Sequence, residues 1–571
     1  MYANTADTVL IKKTDFSVKK GTKQMFCNMN NLYSVRIMRK PSKRIIKYIA
    51  AVLVTATVLS LCAVAVIKVN DDTFRFNTPT YIKLNSKTDG IIKNKKDYEA
   101  YLVEVPEPGA LSISLDHDNY AETLKDGWRV TLYKIGEANN GEKTYDELVY
   151  FNSFWEDTTS GWGETGVDAG EYCIMVEPGA YILDINFTLI VRFSQTDKYE
   201  REFNDSRETA LEIKESQAVY GSSSQRTEGI DTDYYKLVLK ENGYVNLTFA
   251  HNDLSLPTVA WIVSLENEDG KNIFDFTSKL SEPLLSSGNV SLKAGVYYVR
   301  IEPQVAYGNT YSIKFETGED SNGEFELNDT PETAVILDEE DPITGSLSPK
   351  ILGLDKDYFK ITLESDGYID IVFKHVKTDE NKTGWNIRLF KKDGDGYYEI
   401  IKKTSSWNDS GIKINEIGLA KGEYFICIDG DGVNYNSDDY TIFWSFTKHD
   451  NFEKEPNNVP KRANEIELSK RYYGKLITKD VNFDNDYYKF TIDEPCNVCV
   501  ELEHEICGDS SVAWTVSVSD EDDDTIVSKM SSKDDDRIIT GVIELTVPGT
   551  YYVHIETGMV ESEVGYSFIV Y

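Results

Sequence analysis

The chain has 571 residues, too long for one domain at roughly 100–200 residues each, and its 96 acidic against 60 basic residues give a net charge of −36. Such a surface repels a phosphate backbone, which excludes a general nucleic-acid binder. With 40% hydrophobic residues, 36 Tyr, 24 Phe and only 7 Cys, the composition supports ordinary cores, favours strands and excludes a disulfide scaffold.

In chain order, residues 1–47 form a short basic tail, with Arg36, Arg39, Lys40, Lys43, Arg44 and Lys47 at its end and no acid among them. Tyr48 to Ile67 then gives twenty uncharged, mostly apolar residues. At 1.5 Å per residue that spans about 30 Å, the thickness of a hydrocarbon core. The positive flank predicts the N-terminus in the cytoplasm and residues 68–571 outside, on a single-pass anchor through the membrane. Two other readings stay open. Translation from Met38 yields a secretory signal with a small-residue cleavage site near Ala65, and Leu59-Ser60-Leu61-Cys62 is a poor lipoprotein box. All three place the body outside the cytoplasm.

Beyond residue 68 the chain repeats itself. Glu200 to Asp205 (EREFND), Glu324 to Asp329 (EFELND) and Glu453 to Asn458 (EKEPNN) each precede an Asp-x-Asp-Tyr-(Tyr/Phe) run from Asp231, Asp355 and Asp484. From Asn204 to Asp233, Asn328 to Asp357 and Asn457 to Asp486 is 29 positions each time, and a further 18 reach His251, His375 and His504. A divergent first copy has Glu99 and His117 at the same interval of 18. Trp128, Trp261, Trp385 and Trp514 follow each His, and a Gly-x-Tyr run begins at 170, 295, 422 and 549 near each copy's end. Copies at 70–198, 199–321, 322–449 and 450–571 fill the chain and leave no room for a separate catalytic domain.

Within a copy the period is two. Tyr235, Leu237 and Leu239 alternate with Lys236, Val238 and Lys240, and Val245, Leu247 and Phe249 alternate with polar neighbours. This predicts antiparallel strands with one buried face; turn signals such as Asn242-Gly243 and Asp393-Gly394 separate the runs. The expected fold class is therefore all-β, four tandem β-sandwich modules after an N-terminal transmembrane or signal helix. The ordered set E-x-N-D, D-x-D-Y-Y and G-x-Y-Y-V resembles the bacterial pre-peptidase C-terminal domain, well over 199–571 and weakly over 70–198. That resemblance implies jelly-roll-like sandwiches related to the collagen-binding domains of clostridial collagenases. The family usually accompanies secreted peptidases; here no peptidase stands beside the modules.

The strongest chemical candidate is Ca²⁺ at up to three sites. Glu200, Glu202, Asn204 and Asp205, with Asp231 and Asp233, offer the hard oxygens that Ca²⁺ takes six to eight at a time. The resemblance, in which matching segments hold calcium, extends this to Glu324, Glu326, Asn328, Asp329, Asp355 and Asp357. It extends it also to Glu453, Glu455, Asn457, Asp484 and Asp486, where Asn458 replaces the last acid and predicts a weaker site. Lys68 in the first copy predicts none there. Without metal, carboxylates so crowded are expected to repel and loosen the linker. The bland alternative is turn and capping chemistry on a polar linker.

The recurring His117, His251, His375 and His504 have no Ser or Cys recurring beside them to serve as nucleophile, and strand-end packing against the Trp is expected. Cys496, Cys499, His504 and Cys507 do not fit tetrahedral zinc, since residues three apart on a strand face opposite ways; a disulfide among the three thiols stays open. Cys173 and Cys427 are expected in cores, as are the four Trp. Tyr297-Tyr298 and Tyr551-Tyr552 each put one ring in and one out. No phosphate loop, H-E-x-x-H or nucleophile elbow occurs. The expectation is a non-enzymatic, membrane-anchored protein presenting its modules to an extracellular protein or polysaccharide. The alternative is a non-catalytic accessory factor for a separately encoded secreted hydrolase.

Overall fold

The computed structural model describes residues 9–13, 31–35 and 79–571, apart from 94–97, 120–125, 180–184, 254, 305–307, 378–383, 431–437, 478–483, 505, 507–513, 532–534 and 558–563. The chain divides into two compact units, Met1–Phe76 and Asn77–Tyr571. In the first, Val9–Lys13 pairs antiparallel with Asn31–Val35, a hairpin-like pairing that the basic composition did not announce. The apolar segment 48–67, Met38, Cys62, Ala65 and Lys68 lie outside the described residues. No helix among the described residues is long and apolar enough to cross a membrane.

The second unit is all-β among its described residues, with one three-residue 3-10 turn at Pro460–Arg462. Its strands form sandwich-like pairs of sheets. In the 199–321 stretch, a five-stranded sheet runs in the order Leu211–Glu212, Asp233–Leu239, Gly295–Pro303, Val259–Asn267, Asn272–Lys279. Opposite lies a sheet ordered Val219–Ser222, Thr310–Glu319, Gly243–His251, Leu284–Ser286, with Val290–Leu292 also on Gly243–His251. The same relative strand order recurs along the unit.

Alternation builds this. Tyr235 and Leu237 are buried while Val238 is exposed, and Val245, Leu247 and Phe249 point inward from the facing sheet into one cluster with Trp261. Three further clusters form the same way around Trp128, Trp385 and Trp514. Burying an aromatic of that size contributes several kcal/mol, and truncating it costs about 3–5 kcal/mol. Among the described residues, pairing departs from the all-antiparallel expectation around each acidic segment, where Tyr199, Gly323 and Phe452 make isolated parallel bridges to Tyr220, Thr344 and Tyr473, and at Thr80–Tyr81, parallel with Tyr101 and Leu102. The two-residue strand after each acidic segment pairs parallel with the Asp-x-Asp-Tyr strand, Leu211 with Tyr235, Val335 with Phe359 and Asn464 with Tyr488. Between the two the chain crosses to the opposite sheet, through Val219–Ser222, Ile343–Gly345 or Arg471–Leu476, and so returns in the same direction.

Candidate metal centre

Burial alternates along each acidic segment. Glu200, Glu202 and Asn204 are buried in one line while Arg201 is exposed; Glu324, Glu326 and Asn328, and Glu453, Glu455 and Asn457, repeat this. The peptide following the second glutamate is cis in all three, at Glu202–Phe203, Glu326–Leu327 and Glu455–Pro456. The strand carrying Tyr235 uses the same period to aim Asp231 and Asp233 inward, as Asp355 and Asp357, and Asp484 and Asp486, are aimed. Two elements about 29 residues apart in sequence thereby present their oxygens to one another. Backbone bonds lock them: Tyr234 N donates to Asn204 O at 2.9 Å, Tyr358 N to Asn328 O at 3.1 Å and Tyr487 N to Asn457 O at 3.0 Å.

The first glutamate is held the same way each time. One oxygen accepts from a backbone N–H of the crossing strand: Ser222 at 2.6 Å, Ser346 at 2.9 Å, Lys475 at 2.8 Å. A tyrosine hydroxyl from the last strand bridges to the final aspartate. Tyr311 lies 3.2 Å from Glu200 Oε2 and 2.5 Å from Asp233 Oδ2, Tyr440 3.0 Å from Glu324 Oε2 and 2.6 Å from Asp357 Oδ2. Tyr566 lies 3.3 Å from Glu453 Oε2 and 2.5 Å from Asp486 Oδ2. A glycine before the capping residue makes room. A Cβ at Gly345 would stand 2.5 Å from the Tyr440 hydroxyl and 2.7 Å from Glu324 Cδ, and Gly221 and Gly474 are as confined.

Ligand oxygens of Glu200, Glu202 and Asp233 lie within 4.8 Å of one another, as do those of Glu326, Asp329 and Asp355, and of Glu455, Asp484 and Asp486. These buried acidic clusters have the donor set to hold a metal ion. Their fit to a hard cation shows in what is left over. Asn204 Oδ1 and Asp233 Oδ1, Asn328 Oδ1 and Asp357 Oδ1, and Asn457 Oδ1 and Asp486 Oδ1 are buried with no hydrogen-bond donor. A buried oxygen without a donor costs about 1–3 kcal/mol, and the same pair is left in three copies.

The electrostatics agree. Burial, then Glu202 and Asp231, push the Glu200 carboxyl well above the usual range; burial, then Glu200, does the same to Asp233. Burial lifts Glu324 to about 8, aided by Glu326, and Glu453 to about 7. Asp231 and Asp355 are raised by burial only to about 6, because Arg226 and Lys350 oppose it.

Those two cations escaped the sequence reading. Arg226 donates to Glu202 Oε2 at 2.8 Å, to both Asp205 oxygens at 2.7 and 2.8 Å, and pairs with Asp231 Oδ1. Lys350 pairs with Asp329 at 2.7 Å and Asp355 at 2.8 Å. Both stand 22 residues past the asparagine of their copy, and that interval was the available signal. Asp205 and Asp329 are thus committed to a side-chain cation. The repulsion expected to loosen a metal-free linker is partly neutralised in these two copies. In the last copy Asn458 stands at the position of Asp205 and Asp329, and its Nδ2 donates to Asp484 Oδ1 at 2.7 Å. The bridging tyrosines were missed because loops vary the interval from the final aspartate to 78, 83 and 80 positions.

The segments also touch the preceding copy. Glu202 N reaches Gly166 O at 3.4 Å, Glu326 N reaches Ser291 O at 3.0 Å, Glu455 N reaches Gly418 O at 2.9 Å, and Arg226 Nε donates to Leu148 O at 3.1 Å. The segment of the first copy that would match, near Asn70, lies outside the described residues.

The histidines are built into the walls. Nδ1 of His117, His251 and His375 faces the next residue's carbonyl at 2.7–2.8 Å, and Nε2 faces Ser153, Ser278 and Ser405 at 2.7–2.9 Å. Each ring, with that of His504, packs on its Trp at 4.1–4.9 Å between centroids. Cys173 and Cys427 are buried free thiols; Cys496 and Cys499 are free as well, and Cys507 lies outside the described residues. Tyr297 and Tyr551 are buried and Tyr298 and Tyr552 half-buried, as alternation requires.

No family model matches the chain, and no curated protein matches it. Among solved structures, the pre-peptidase C-terminal domain of a collagenase from Bacillus anthracis is similar at 17% identity and a TM-score of 0.16, over 20% of this chain and 94% of that one. The CBM22-1-CBM22-2 tandem domain of Paenibacillus barcinonensis Xyn10C is similar at 13% identity and a TM-score of 0.15, over 41% and 86%. The M60 catalytic domain with CBM51-1 and CBM51-2 of Clostridium perfringens ZmpB is similar at 8% identity and a TM-score of 0.15, over 83% and 54%.

Proposed function

We propose that this chain is an extracytoplasmic binding protein. Four tandem β-sandwich modules, at 70–198, 199–321, 322–449 and 450–571, are stiffened by Ca²⁺ at their junctions and presented to an extracellular protein or polysaccharide. The observation that supports the metal is the recurrent pair of buried oxygens without a donor, one amide and one carboxylate, inside each of three acidic clusters. Ca²⁺ suits them better than Zn²⁺, because every candidate ligand is a hard oxygen and no imidazole or thiolate joins the group. Because each cluster's linker also bonds to the preceding copy, a bound ion would couple the ordering of the linker to the angle between neighbours. A stiff array of repeated modules gains avidity on a repetitive polymer. Residues 48–67 would hold the array at the membrane, with residues 68–571 outside. The engagement of three of the four strand-end histidines at both ring nitrogens favours binding over catalysis.

Small-angle scattering of the chain in Ca²⁺ and in chelator tests the stiffening, and co-sedimentation with insoluble protein and polysaccharide matrices tests the binding. The reading expects a longer, narrower distance distribution and tighter sedimentation in Ca²⁺. Identical scattering in both conditions would count against the junction role; no retention by any matrix would count against the binding role.

A further inference from the structure

Arg226 and Lys350 are side-chain cations set deep in the first two acidic clusters, with 9% and 13% of their side chains exposed. Burying a charge is costly unless it is paired, and each is paired with carboxylates of both converging elements. Arg226 joins Glu202 and Asp205 of the linker to Asp231 of the strand, and Lys350 joins Asp329 to Asp355. Neither satisfies the cluster. Asn204 Oδ1 and Asp233 Oδ1 stay without a donor in one, Asn328 Oδ1 and Asp357 Oδ1 in the other. Each cluster therefore has two places for positive charge, of which the side chain takes one.

We propose that Arg226 and Lys350 are tethered cations that share these clusters with a single exchangeable divalent ion and set its affinity. The identity of that ion rests on the calcium reading above. With every carboxyl ionised, as a bound cation would favour, five carboxylates less one side-chain cation leave a formal −4 around Glu200, Glu202, Asp205, Asp231, Asp233 and Arg226, and −4 likewise in the next copy. One divalent ion relieves half of that. The tethered charge does two opposed things. Without metal it holds linker to strand, so the junction stays folded; with metal it repels the incoming ion across a buried, weakly screened gap. The balance makes the ion bind more weakly than it would to the same carboxylates without the tethered charge. In the last copy a neutral donor, Asn458 Nδ2, takes the Asp484 oxygen that corresponds to the cation-paired Asp231 and Asp355 oxygens. Lys479 stands at the matching interval of 22 from Asn457 but lies outside the described residues.

The test compares the full chain with Arg226→Met and Lys350→Met by calorimetric Ca²⁺ titration, and by thermal melts in chelator and in Ca²⁺. Arg226→Lys and Lys350→Arg serve as charge-keeping controls. Each neutral variant is expected to bind one of its ions roughly tenfold or more tightly, to melt lower in chelator, and to recover in Ca²⁺. The controls give up the native geometry but keep the charge, and since the charge is what repels the ion they are expected to stay within about threefold of the parent. Neutral variants that bind Ca²⁺ no more tightly than the parent would overturn the proposal, whatever the parent binds. If the parent shows no Ca²⁺ heat and the variants do, the calcium reading of the native chain fails for these two sites while the tethered-cation proposal stands. Should a neutral variant not fold without metal, the controls still decide: a tenfold change with charge retained overturns the proposal.

Discussion

Asp357→Asn separates a metal site from a capping network, because the two predict opposite signs under one condition. Asp357 is fully buried; its Oδ2 accepts from Tyr440 at 2.6 Å and its Oδ1 has no donor. Burial, then Glu324 and Asp355, pushes its carboxyl well above the usual range. An amide keeps an acceptor for Tyr440, removes one of the crowded charges, and brings an NH2 into a cluster short of donors. Relieving a buried oxygen that lacks a donor is worth about 1–3 kcal/mol. In chelator, Asp357→Asn should therefore stabilise its module by a quantity of that order, a few degrees in melting temperature. In Ca²⁺ at a hundred times the dissociation constant, the parent gains about 2.7 kcal/mol that the variant forgoes. Scanning calorimetry of both chains under both conditions should show the variant melting higher in chelator and losing most of the parent's calcium-dependent rise. A variant that melts lower in chelator, with an undiminished calcium shift, would refute the reasoning.

The carboxylates also predict a pH dependence. Their folded pKa values are raised, so the stability they contribute is present below about 4.5, the unfolded value, and is lost as pH rises through about 8 for Glu324 and about 7 for Glu453. Melts in chelator should fall between pH 5 and pH 8, and Ca²⁺ should flatten that fall; a rise with pH in chelator would contradict the burial of these groups. Gly345→Ala forces Tyr440 and Glu324 aside and should weaken Ca²⁺ at that site by roughly tenfold, read by titration, while Gly396→Ala, where an added Cβ meets nothing closer than 3.8 Å, should leave affinity alone. His375→Ala removes the bond to Ser405 and the packing on Trp385. It should cost about 1–2 kcal/mol in denaturant melts with Ca²⁺ affinity and polymer retention unchanged; lost binding would return the histidine to the functional set.

Much of the fold was legible because period two and fixed spacing are local properties. The alternation at Tyr235 to Lys240 located a strand and its buried face, and the 29-residue interval brought Asn204 opposite Asp233. The parallel pairing of Leu211–Glu212 was not legible, since a two-residue strand carries no period of its own. The acidic ligands were readable as oxygen-rich positions, but their partners were not. Arg226 and Lys350 look like any basic residue in a polar loop until the chain folds them onto Asp231 and Asp355. Tyr311, Tyr440 and Tyr566 sit on a strand whose distance from the aspartates varies with loop length, so a search for fixed intervals passes over them. The segment 48–67 was readable as an apolar span, and it lies outside the described residues.

The central claim is that three clusters of the same construction, at Glu200–Asp233, Glu324–Asp357 and Glu453–Asp486, each take one Ca²⁺. Calorimetric titration of Ca²⁺ into the metal-free full chain measures this most directly. The account predicts three ions per chain and a higher melting temperature in Ca²⁺ than in chelator. No binding heat together with identical melts would contradict it, and would leave the buried glutamates and aspartates as hydrogen-bonding struts between linker and strand.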